Sequence, residues 1–151
     1  MGLSFELLSQ SNAQNQTELE RFAHWCVGAK GLIAGQVYDL AASSPTYEEV
    51  RRIHELKTGR LILLSTLAPY FFLDSEDSHL FKKLWKLGTH LGRYFQLKDD
   101  FDDYNQTPDD DLNIFKIDEA RAIEELRQSE GKLQEALHGF PKVQDLLKLL
   151  K

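Results

Sequence analysis

The chain has 151 residues, of which 42% are hydrophobic and 28% charged, with a formal net charge of −6. That is the composition of one globular domain rather than a disordered chain, and its sign disfavours non-specific binding to nucleic acid or an anionic membrane. Cys26 is the single cysteine, which excludes an intrachain disulfide or a Cys-based zinc cage and points to a reducing, cytoplasmic setting.

Apolar residues recur at helical spacing almost throughout, and no useful β-alternation, repeat or linker interrupts them. The expectation is an all-α bundle of long helices forming one unit over residues 1–151. Leu3, Phe5, Leu7 and Leu8 form an apolar cluster with no cap before it, as though the chain starts inside a helix. Over residues 18–40, Phe22, Cys26, Ala29, Ile33, Val37 and Leu40 repeat every three or four positions, which predicts one helix. Pro45 then precedes Thr46-Tyr47-Glu48-Glu49, a capping-box pattern that starts a second helix. That helix is expected to carry Val50, Ile53, Leu56 and Leu61 inward until Pro69 bends or ends it. Residues 61–73, the longest mostly apolar run, are too few to span a bilayer, and the N-terminus lacks the basic-then-apolar order of a signal peptide.

An acidic loop over residues 74–77 follows, with Asp77 or Ser78 as cap for a third long helix. Leu80, Leu84, Leu87, Leu91 and Phe95 form its expected buried stripe, and it runs to about Tyr104. Residues 105–113 are polar, acidic and broken by Pro108, hence a loop. Asp118 caps a fourth helix to about Leu137, Gly139 and Pro141 punctuate, and a short final helix closes the chain. Gly28, Gly31 and Gly35 share the first predicted helix, and Gly88 and Gly92 the third. Each interior glycine costs roughly 1 kcal/mol against alanine. Spaced along one face, they predict close approach of another backbone.

The chemistry concentrates at Phe95-Gln96-Leu97-Lys98-Asp99-Asp100-Phe101-Asp102-Asp103. Asp99 and Asp103 share a helix face with Gln96, and carboxylates at a helix C-terminus sit at the wrong end of the dipole. Something cationic must compensate: basic side chains or a divalent ion. Hard oxygen donors that share an ion with substrate phosphates favour Mg²⁺. A solvated acidic helix end running into Asp109, Asp110 and Asp111 is the bland alternative. Two weaker signals are Gln36 and Asp39 on one helix face, and Lys57-Thr58-Gly59 inside the second helix.

In this order, Gly35-Gln36-x-x-Asp39-Leu40, Lys57-Thr58-Gly59 and Gly92-x-x-Phe95-Gln96-x-x-Asp99-Asp100-x-x-Asp103 resemble the C-terminal half of the isoprenyl diphosphate synthases. The resemblance covers roughly residues 3–104. It implies a partial isoprenoid-synthase fold lacking the N-terminal helices, built around a deep pocket. It further implies a prenyltransferase that condenses an allylic prenyl diphosphate head-to-tail with isopentenyl diphosphate, using Mg²⁺ or Mn²⁺. By the same resemblance Asp99, Asp100 and Asp103 are the second Asp-rich motif and hold the metal. Lys57 contacts the diphosphate with Thr58 beside it, Phe95 and Gln96 line the pocket, and Gln36 and Asp39 form a supporting polar pair.

Two departures qualify the match. Nothing before Gly35 supplies the family's first Asp-rich motif, and the loop after Asp103 lacks its Gly-Lys and Lys-Thr elements, with only Lys116 as a remnant. The expectation is a synthase represented by its C-terminal part, weak or inactive alone. It would form a homodimer or pair with the missing N-terminal half through apolar faces such as residues 61–73. The alternatives are a non-catalytic synthase-like subunit that binds a catalytic partner, a plain helical interaction domain, and a terpene cyclase.

Overall fold

The computed structural model describes residues 6, 8–73, 77–104, 106 and 112–143. Among them the only regular elements are helices, in agreement with the all-α expectation. The predicted first helix is two. Helix α1 spans Gln16–Val27 and α2 spans Leu32–Ala41. The break is chemical: a Cβ on Gly31 would lie 1.9 Å from the Cys26 carbonyl oxygen and one on Gly28 2.5 Å from that of His24. Only glycine lets the chain fold back so closely over the end of α1. The expected stripe breaks with it. Cys26 is buried, whereas Ile33, Val37 and Leu40 on α2 are exposed.

Helix α3, Tyr47–His54, starts with the expected capping box: Glu49 N–H donates to Thr46 Oγ1 at 3.3 Å and Thr46 N–H to Glu49 Oε2 at 2.8 Å. It continues through a π-helical turn, Glu55–Gly59, into α4, Arg60–Leu67, and a 3₁₀ turn, Ala68–Phe72, that begins at Pro69's turn. Val50, Ile53 and Leu56 are buried as expected, but Leu61 is exposed and Leu63 and Leu67 are buried instead. The π turn holds more than the 3.6 residues of an α turn, so every side chain after it rotates out of the register that a uniform helix predicts.

Helix α5, Ser78–Asp103, is capped by Asp77, whose Oδ1 accepts from His79 N at 2.9 Å and Leu80 N at 3.1 Å. Of its predicted stripe, Leu87 is buried, Leu80, Leu84 and Leu91 are half-buried, and Phe95 is exposed while Tyr94 and Leu97 are buried. Two neighbours on different sides explain this. Gly88 and Gly92 face α4, and Leu87 and Tyr94 pack with Leu133 and Leu137 of α7, Glu119–Leu137. Asp118 caps α7 through Arg121 N at 3.1 Å, as expected. A turn not anticipated, α6 over Ile114–Ile117, precedes it, with Ile114 and Phe115 among the most buried residues. Pro141–Val143 form a 3₁₀ turn. Leu3, Phe5 and Leu7, residues 74–76, most of the acidic loop and the expected final helix lie outside the described residues.

Side-chain contacts give the topology. Gly88 lies level with Leu63 and Thr66, and Gly92 with Gly59 and Ile62, so α5 runs antiparallel to α4. The Lys86–Glu135 and Arg93–Glu125 pairs, at 3.1 and 2.6 Å, make α7 antiparallel to α5. Gly35 meets Leu56 and Lys57, and Arg52 lies 5.6 Å over the Tyr38 ring, which sets α2 antiparallel to α3. No helix among the described residues is long and apolar enough to cross a membrane.

Candidate active site

The site begins where α2 rests on the π turn. A Cβ on Gly35 would sit 2.7 Å from Lys57 N and 3.0 Å from the Leu56 carbonyl carbon, so glycine is what allows the contact. One turn further along α2, Asp39 Oδ2 accepts from Lys57 Nζ at 2.5 Å and from Gln36 Nε2 at 3.4 Å. Asp39's side chain is 12% exposed and that of Lys57 42%. A part-buried carboxylate thus holds an ammonium at the surface. Thr58 follows within the π turn and is half-buried. A π turn often marks a functional position, because it widens the helix at one point and re-aims its side chains.

On its other side the π turn meets α5, where a Cβ on Gly92 would be 3.0 Å from Gly59 Cα. Along α5 the same stripe continues from Gly92 through Phe95 and Asp99 to Asp103. Phe95, Asp99 and Asp103 are all exposed. Partial burial, then the charges of Asp103 and Asp102, hold the Asp99 carboxyl above the usual aspartate value. Lys98 answers part of this acidity by pairing with Asp102 one turn on.

Asp100 and Gln96 face inward. Asp100 is buried, and its Oδ2 accepts from Ile114 N at 3.0 Å and lies 3.7 Å from His54 Nδ1. Asn113 Nδ2 donates to the Asp100 carbonyl at 2.6 Å, and Gln96 Nε2 to Asp100 Oδ1 at 3.3 Å. Asp100 therefore clamps the start of α6 onto α5, roughly 100° round the helix from Asp99. The structure brings Gln36, Asp39 and Lys57 into one cluster, and sets Phe95, Asp99 and Asp103 on one stripe. Gln96 and Asp100 lie at the inner side. No group of three His, Cys, Asp or Glu side chains arranged to hold a metal occurs among the described residues.

Inside lies an array that sequence reasoning missed. Glu125 of α7 is buried, accepts from Arg93 Nη2 at 2.6 Å and Nε at 3.0 Å, and takes a hydrogen bond from Tyr47 OH at 3.1 Å. Burial and that carboxylate push the Tyr47 hydroxyl's pKa up. Arg93 and Glu125 read as ordinary polar-face residues, and no local pattern links positions so far apart in the chain.

The polyprenyl synthetase family model matches residues 1–120, and the chain belongs to that family. Farnesyl diphosphate synthase of Micrococcus luteus is 29% identical over 116 residues, 71% of this chain and 40% of the relative. That of Bacillus subtilis (strain 168) is 29% identical over 104 residues, 64% of this chain and 35% of the relative. Solved structures of geranyltransferases from Legionella pneumophila and Helicobacter pylori 26695 superpose with TM-scores of 0.79, at 25% and 28% identity. They cover 99% of this chain, which covers 54% of theirs. The chain has their all-α isoprenoid-synthase fold, and it spans about half the length of the solved structures and less of the curated relatives.

Proposed function

We propose that this chain carries the diphosphate-binding part of a prenyltransferase, which joins an allylic prenyl diphosphate head-to-tail to isopentenyl diphosphate in the cytoplasm. The observation that carries the reading is the Gln36–Asp39–Lys57 cluster, seated on a π turn that packs between Gly35 of α2 and Gly92 of α5, the helix that ends in Asp99 and Asp103. Two of the sequence signals, Gln36 with Asp39 and Lys57, meet in it, in a chain whose relatives are farnesyl diphosphate synthases.

Lys57, fixed by Asp39, donates to the diphosphate, with the Thr58 hydroxyl beside it. Phe95 and Gln96 flank the allylic group. Asp99 and Asp103 suit Mg²⁺, or Mn²⁺ in its place. They offer hard oxygens one turn apart on one face of α5. Asp100 keeps its place in the metal motif as the anchor of the helix end that carries the other two. Bound Mg²⁺ supplies neutralisation of the leaving diphosphate. A charged allylic fragment must then be shielded from water until the second substrate reacts.

Residues 1–151 act as one unit in this reading, and the remaining wall of the pocket comes from another segment, either an N-terminal half or a partner copy. The exposed Ile33, Val37 and Leu40 on α2 offer an apolar face for it. Alone, the chain is a weak or inactive catalyst. Transfer of labelled isopentenyl diphosphate onto geranyl diphosphate tests the function. Slow, metal-dependent transfer that falls by orders of magnitude in Asp99→Ala supports it, and transfer indifferent to both Asp99→Ala and chelator contradicts it.

A further inference from the structure

A cavity of about 320 Å³ lies behind the π turn, between α1, α3, α4 and α5. Lys57, Thr58, Asp99 and Asp103 do not line it, and among the candidate site residues Gln96 alone does. Trp25, Trp85 and Leu63 give it an apolar wall, and Arg51, Arg60 and Arg93 line it against the single carboxylate Glu55. Glu125 satisfies Arg93, and Glu48, at 3.2 Å, engages Arg51. Arg60 is less provided for. Its side chain is 17% exposed, its guanidinium stacks 3.6 Å over the Trp25 ring, and it reaches Glu55 at 3.3 Å. Its Nε is buried without a hydrogen-bond partner.

We propose that this cavity is a binding site for a small anion with an apolar tail, of the alkyl phosphate class. The phosphate would accept from Arg60 and the tail would lie on the two tryptophans. Three arguments support this occupant. A buried guanidinium donor without a partner is costly, so it favours an acceptor. The guanidinium fork matches phosphate oxygens, and its lining cations outnumber carboxylates. The volume lies at the lower end of the ~300–1,000 Å³ range of small-molecule sites, room for roughly ten waters or one short-chain amphiphile. Binding here needs no divalent ion, which separates it from the diphosphate site proposed above.

Trp25 and Trp85 are the chain's only tryptophans, so intrinsic fluorescence reads the cavity directly. The full chain is titrated in EDTA with hexyl phosphate, hexanol or inorganic phosphate, by fluorescence and calorimetry. Saturable binding of hexyl phosphate at least tenfold tighter than either control is expected. Arg60→Gln should weaken it tenfold or more, and Thr89→Phe, which fills the cavity from α5, should abolish it. Asp99→Ala should bind hexyl phosphate like the unaltered chain. Circular dichroism identifies a variant that fails to fold, and Thr89→Phe then decides in place of Arg60→Gln. No saturable response would mean the cavity holds water only, and equal binding of hexanol would make it a plain apolar pocket. Either result overturns the proposal, as does hexyl phosphate binding unchanged in the folded variants.

Discussion

Gly35→Ala places a methyl group where α2 lies on the π turn, and its effect follows from two opposed terms. Alanine gains about 1 kcal/mol over glycine in a helix interior. Against this, the new Cβ would stand 2.7 Å from Lys57 N and 3.0 Å from both the Leu56 carbonyl carbon and Cβ. Two of those atoms are backbone and cannot rotate away, so the overpacking cost should lie near the upper end of the ~1–3 kcal/mol range. The net expectation is a loss of about 2 kcal/mol. Gly131→Ala on α7 is the control, since nothing lies within 4 Å of its added Cβ, and it should gain up to about 1 kcal/mol. For a chain of this length each kcal/mol moves the thermal midpoint by roughly 2–4 °C. Thermal unfolding should therefore show Gly35→Ala some 4–8 °C below the unaltered chain and Gly131→Ala a few degrees above it. A Gly35→Ala variant as stable as the parent would refute the claim that α2 is pressed against the π turn.

Other consequences are equally accessible. Thr46→Ala removes one arm of the capping box and should cost about 1 kcal/mol in urea unfolding. Glu125→Ala leaves Arg93 and Tyr47 without their shared acceptor, and a loss of about 3 kcal/mol is expected by the same measurement. Asp39→Ala releases Lys57 from its 2.5 Å partner, and affinity for an allylic diphosphate analogue should fall several-fold while the fold persists by circular dichroism. Asp99 titrates above its ordinary value in the folded chain. The folded state is therefore favoured while Asp99 is protonated, and that benefit is lost as pH rises through its raised value. In EDTA, Asp99→Asn should raise the midpoint at neutral pH and leave it unchanged below the ordinary aspartate pKa; a larger gain in acid would reverse the sign of the argument.

Much of this was legible from residue types alone. Thr46 and Glu49, Asp77 and Asp118 all cap as their spacing indicates, because capping is local chemistry. Gly35, Gly88 and Gly92 do mark close backbone approach. The π turn was not legible, since Glu55-Leu56-Lys57-Thr58-Gly59 contains nothing that a continuous helix would refuse. Only the fold shows it, packed between Gly35 of α2 and Gly92 of α5, and it is why Leu63 is buried where a uniform helix would bury Leu61. Likewise, Asp99 and Asp100 are indistinguishable in sequence. Only the arrival of Ile114 and Asn113 against α5 separates an inward anchor from an outward carboxylate. The Arg93–Glu125 pair and the arginine-lined cavity depend on partners too distant in the chain for any local pattern to join.

The central claim is that Lys57, Asp99 and Asp103 hold one diphosphate together with a divalent ion. Calorimetric titration with a non-reactive allylic thiolodiphosphate, with Mg²⁺ and then in EDTA, tests it most directly. The account predicts saturable binding that requires Mg²⁺, disappears in Asp99→Ala and weakens in Lys57→Ala. Binding of equal strength in EDTA, or undiminished in Asp99→Ala, would contradict it.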